Sequence, residues 1–98
     1  MRFFLSFTPG AKQGLKELKK SAHLEKRFNA VSKALNLLAD NPRHPGLQTH
    51  PYTSLRGPNG EKVFEAYAEQ NTPAAYRVFF YYGKALGEIV IFAITPHP

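Results

Sequence analysis

The fold turns on residues 61–94, EKVFEAYAEQNTPAAYRVFFYYGKALGEIVIFAI. Glu61 to Glu69 alternates, with Val63, Glu65 and Tyr67 on one side and Phe64, Ala66 and Ala68 on the other, which is the period-2 signature of a strand. Gln70-Asn71-Thr72-Pro73 turns the chain, because Asn and Pro favour turn geometry and Pro cannot donate to a ladder. Ala75 to Tyr82 is rich in aromatic and β-branched residues and reads as a second strand. Gly83 to Gly87 supplies a hairpin, and Glu88 to Ile94 a third strand. Strands joined through so short a connection are antiparallel.

Upstream the pattern changes period. Arg2 to Phe7 is predicted to be a strand, with Phe3, Leu5 and Phe7 on one face. Thr8-Pro9 then opens a helix, since Pro lacks the amide that has no partner at a helix start. That helix is expected over Ala11 to Lys20, with Leu15 and Leu18 inward and Gly14 costing it roughly 1 kcal/mol. Ser21 to about Ala39 reads as a second helix, because Leu24, Phe28, Val31, Leu35 and Leu38 recur at spacings of three and four. Asp40-Asn41-Pro42 ends it. Residues 41–60 are punctuated by Pro and Gly and predict a loop or irregular edge, with room for a short strand around Tyr52 to Leu55. The expected class is α+β in one domain spanning 1–98: an N-terminal strand and two helices packed on one face of a small antiparallel sheet, in the order β-α-α-β-β-β.

Composition narrows the function classes. The chain is 43% hydrophobic, which suits a packed core rather than disorder. It has no cysteine, so neither disulfides nor zinc thiolates staple it. The opening apolar run of about five residues is shorter than a secretory core of roughly 7–15, and no run approaches a membrane span, so a cytoplasmic protein without membrane contact is expected. Residues 1–50 carry nine Lys or Arg against Glu17, Glu25 and Asp40, whereas in residues 51–98 four of each sign cancel. The whole net charge of +6 therefore belongs to the helical half, which would attract a polyanion or an acidic protein.

Several segments together resemble the RelE/ParE toxin superfamily. They are Lys16-Glu17-Leu18-Lys19-Lys20, Asn41-Pro42, Ser54-Leu55-Arg56-Gly57, Val63-Phe64-Glu65-Ala66-Tyr67, Tyr76-Arg77-Val78-Phe79-Phe80-Tyr81 and Ile94-Thr95-Pro96-His97-Pro98. The strand that opens Tyr-Arg and runs apolar to a Tyr is the most diagnostic of these. The resemblance implies a RelE-like fold and the toxin of a toxin–antitoxin pair. It also implies a small antitoxin protein as partner and, for RelE, YoeB and HigB types, cleavage of mRNA at the ribosome without metal or other cofactor. ParE types instead poison DNA gyrase, and a member that only binds a partner is a third reading.

Cutting RNA without a metal needs a base for the 2′-hydroxyl, a cation for the phosphorane and an acid for the departing 5′-oxygen. Arg77 lies within an otherwise apolar strand, where a guanidinium is costly unless it meets an anion. It is the candidate cation, or else it pairs with Glu65 across the sheet. His97 matches the terminal catalytic His of the YoeB type and is the candidate acid, although Pro98 stands where that type has a Tyr. Glu65 and His50 are the candidate bases. Tyr67 shares a strand face with Glu65 and is a candidate to stack on a base or bind phosphate; RelE carries lysines at about this pair of positions. Lys12, Lys16, Lys19, Lys20, Lys26, Arg27 and Lys33 are candidates to grip ribosomal RNA phosphates, or simply a solvated surface. His44 and His50 have no acidic partner at a metal-ligand spacing, so no metal site is expected.

Overall fold

A computed structural model describes residues 2–96 of the chain. Strand β1 spans Phe4–Phe7 and helix α1 spans Pro9–Lys20. The Thr8 hydroxyl accepts the Ala11 amide at 3.2 Å, so the cap forms where Thr-Pro predicts it. The second expected helix is interrupted. Ser21 is extended, Ala22–Leu24 forms a 3₁₀ turn closed by the Leu24 amide on the Ser21 carbonyl, and α2 runs only over Glu25–Asp40. No side chain caps α2, so nothing local fixed its start.

The Pro/Gly-rich stretch holds more order than expected. Pro45–Leu47 is a 3₁₀ turn that carries Leu47 into the core, and β2 spans His50–Arg56, longer than the Tyr52 to Leu55 segment foreseen. Pro51 is tolerated because β2 is an edge strand whose register slips between Pro51 and Arg56. Strands β3 (Lys62–Tyr67), β4 (Tyr76–Tyr82) and β5 (Glu88–Pro96) follow as the antiparallel meander. The five strands lie in the order β1-β5-β4-β3-β2. One pairing departs from an all-antiparallel sheet: β1 runs parallel to β5, with Phe4 opposite Glu88 and Phe7 opposite Ile91. The chain leaves β1 at one edge, crosses the sheet through both helices, and enters it again at the far edge as β2.

Both helices lie on one face. Ala11, Leu18, Val31, Ala34, Leu35 and Leu38 meet Ala66, Val78, Phe80, Ile89, Ile91 and Ile94 in one core. Ile91 and Ile94 are three apart yet share this face, because Phe79 pairs with Ala93 while Phe80 pairs with Ile91, leaving Phe92 as a bulge. The bulge carbonyl is taken by the Thr8 hydroxyl at 2.9 Å. Burying Phe80 completely contributes about 1.5–3 kcal/mol. The face without helices carries a second apolar layer. There Tyr52 packs edge-on against Phe79 at 4.9 Å and Tyr81 against Phe92 at 5.9 Å. Among the described residues no helix is long and apolar enough to cross a membrane.

Candidate active site

Strand register assembles a polar cluster inside this second layer. Glu65 on β3 lies opposite His50 on β2 and Phe79 on β4, while Tyr67 lies opposite Arg77. Alternation then points Glu65, Tyr67, Arg77 and Phe79 to the face that the helices leave open. Arg77 Nη1 donates to Glu65 Oε2, and His50 Nε2 lies 2.7 Å from Glu65 Oε1, so one carboxylate joins a guanidinium and an imidazole. Arg77 and Glu65 are only 7% and 3% exposed. The His50 side chain is 43% exposed and is the part of the cluster that solvent reaches most. The Arg77 guanidinium stacks over Phe79 at 5.0 Å, and the His50 and Tyr67 rings are 5.7 Å apart.

The hydrogen bonds constrain the protons. His50 Nδ1 faces the Gln48 carbonyl at 2.8 Å, and a carbonyl only accepts, so Nδ1 carries hydrogen. Nε2 faces a carboxylate oxygen. It donates to Glu65 only when it too carries hydrogen. Arg77 itself is incompletely satisfied, since its Nε is buried without a partner among the described residues.

The remaining candidates fall elsewhere. His97 lies outside the described residues. The last residues before it, Thr95 and Pro96, pair with Arg77 and Tyr76. Lys12, Lys16, Lys19, Lys20, Lys26 and Lys33 are exposed on the helices, which cover the sheet face opposite the cluster. Lys12, Lys16 and Lys19 surround an apolar groove floored by Phe7, Leu15 and Phe28. Arg27 is engaged inside the molecule: it donates to the Ala74 and Pro73 carbonyls at 2.7 and 3.0 Å and lies 3.7 Å from Glu69. Its charge fastens the β3–β4 turn to α2. Among the described residues no three His, Asp or Glu side chains converge as metal ligands.

Two participants were missed by sequence reasoning. The Gln48 carbonyl that orients His50 carries no sequence signal, because any residue supplies a carbonyl. The Tyr52–Phe79 contact depends on the register of β2, which a short strand foreseen only around Tyr52 to Leu55 did not fix.

No protein-family model matches the sequence, and no curated protein matches it. Solved structures do. A YoeB/ParE toxin from Agrobacterium tumefaciens superposes with a TM-score of 0.70 at 10% identity, covering all of both chains. The archaeal RelE–RelB complex of Pyrococcus horikoshii matches at a TM-score of 0.63 and 17% identity, over 98% of this chain and 96% of the other. The RelBE2 toxin–antitoxin complex of Mycobacterium tuberculosis matches at 0.62 and 20%, over 99% and 100%. The chain has the RelE-like α+β fold.

Proposed function

We propose, from the fold shared with these toxins, that the chain is the toxin of a toxin–antitoxin pair and cuts mRNA at the ribosome. The observation that carries the reading is the joining of Arg77, Glu65 and His50 on the open sheet face, with Tyr67 alongside. Arg77 is the cation for the phosphorane, and its unpaired Nε is a donor that a phosphate oxygen would satisfy once the side chain moves outward. As the base, neutral His50 takes the 2′-hydroxyl proton at Nε2, and the Glu65 carboxylate beside it stabilises the imidazolium that forms. His50 is the mobile member because it is the more exposed. His97 is the acid for the 5′-oxygen, no metal being required. The exposed lysines of α1 and α2 face ribosomal RNA, and a small acidic antitoxin neutralises the protein.

A second reading has its own support. Glu65 already neutralises Arg77, and both are nearly inaccessible, as in a structural ion pair. On that reading the chain is a gyrase poison or a partner-binding protein. Inducible expression of wild type, Arg77→Ala, His50→Ala and His97→Ala separates the two. Growth arrest with transcript cleavage, lost in all three variants, is expected. Arrest without cleavage, unchanged by His97→Ala, would favour the poison.

A further inference from the structure

The carbonyl that holds His50 is itself held. Gln48 closes the Pro45–Leu47 turn with φ at 48° and ψ at 41°, a left-handed conformation that is costly for a residue with a Cβ. In it the Gln48 carbonyl faces His50 Nδ1 at 2.8 Å. Such a conformation persists only where surrounding contacts enforce it.

Two bonds from Gln70 supply that restraint. Its Nε2 donates to the Gly46 carbonyl at 2.8 Å, which sets the side-chain amide. Its Oε1 then accepts from Gln48 Nε2 at 3.1 Å. One side chain thus grips the turn at Gly46 and at Gln48, on both sides of the buried Leu47. Gln70 is exposed, but the segment that carries it is pinned. Arg27 of α2 donates to the Ala74 and Pro73 carbonyls at 2.7 and 3.0 Å. Glu69 Oε1, 3.7 Å from Arg27, accepts the Tyr76 amide at 3.0 Å. The β3–β4 turn is therefore fastened to α2 on one side, and through Gln70 and Gln48 it reaches the His50 ring on the other.

The consequence is chemical. His50 faces two acceptors, the Gln48 carbonyl at Nδ1 and the Glu65 carboxylate at Nε2. A neutral imidazole has one N–H to divide between them. If the carbonyl drifts away, the carboxylate takes that hydrogen, and Nε2 keeps no lone pair for a 2′-hydroxyl proton. We infer that Gln70 is a positioning residue: through Gln48 it keeps the hydrogen on His50 Nδ1 and so leaves Nε2 able to act as base. Its use in catalysis rests on the nuclease reading.

The test reads the ring nitrogens of His50 by NMR of the nitrogen-labelled full chain, above the titration range of imidazole, with His50→Gln to assign the signals. Wild type is expected to hold the hydrogen on Nδ1. Gln70→Leu keeps the bulk and loses both bonds, and should shift the ratio of the two tautomers about tenfold toward Nε2. Gln48→Glu combined with Gln70→Lys supplies an ammonium to bond both the Gly46 carbonyl and a carboxylate, and should return the ratio to within about twofold of wild type. In cleavage on stalled ribosomes, Gln70→Leu should lose about tenfold in kcat with KM unchanged, and the double variant should recover it. Hydrogen on Nε2 in wild type, an unmoved ratio in Gln70→Leu, no recovery in the double variant, or a moved ratio with cleavage undiminished would each overturn the positioning role. A wild type that shows the expected tautomers but cuts no RNA sinks the nuclease reading instead, and leaves the restraint of His50 by Gln70 standing.

Discussion

Glu65 sits between the Arg77 guanidinium and the His50 imidazole and is shielded from water with the first, which makes it the residue most sensitive to change. Glu65→Gln leaves the Arg77 charge buried without a counter-ion and should lower stability by about 3–5 kcal/mol, measured by urea unfolding. Replacing both together, Arg77→Met with Glu65→Leu, removes the charges in pairs and should leave stability near wild type while abolishing cleavage. A double variant as unstable as Glu65→Gln would contradict this account of the cluster. Tyr81 gives a second residue-scale expectation. Burial, aided by the Glu61 and Glu88 carboxylates, pushes its phenol above the ordinary 10.0. The neutral form is thus favoured by the fold. Its contribution to stability is complete below pH 10 and is lost as pH rises through the raised folded value. Tyr81→Phe should therefore move the alkaline unfolding midpoint upward, and an unmoved midpoint would assign alkaline unfolding to other groups. At this scale the sequence was partly legible. Arg77 stood out as a charge in an apolar strand, and its pairing with Glu65 was one of two outcomes that strand parity allowed. The bond from His50 to Glu65 was not foreseeable, because it needs the register of β2.

Elements were legible where periodicity was strong. The stripe from Leu24 to Leu38 marked α2, but Ser21 proved to be a break rather than a start, since it caps nothing. Strand β5 hid its bulge, because alternation alone places Ile91 and Ile94 on opposite faces. Gly14 shows why local propensity misleads. It weakens α1 as an isolated helix, yet a Cβ there would lie 2.9 Å from the Ile94 carbonyl oxygen. The glycine lets α1 settle onto β5. Gly14→Ala should gain about 1 kcal/mol in helix propensity and lose more by forcing helix and strand apart, for a net destabilisation of about 1–2 kcal/mol. A raised melting temperature would refute the close approach.

Across the whole molecule, charge and candidate chemistry lie on different sides of the sheet. Sequence counting located the positive excess in the helical half but could not say which face that half occupies. The helices cover the core face, so their lysines and the Arg77 cluster look in opposite directions. A substrate strand at the cluster would therefore touch few of these lysines directly, which suits docking on a large RNA assembly better than wrapping by one strand. Lys12→Gln, Lys16→Gln and Lys19→Gln together should weaken ribosome binding and flatten its salt dependence, with little change in stability. Unchanged salt dependence would make these residues a solvated surface. The most direct test of the central claim uses purified protein with ribosomes stalled on a defined mRNA, followed by mapping of the RNA ends. Cleavage within the exposed codon is expected, leaving a 2′,3′-cyclic phosphate, and it should vanish with the folded Arg77→Met, Glu65→Leu protein. Intact mRNA with wild type in excess of ribosomes, or cleavage undiminished in the double variant, would contradict the account.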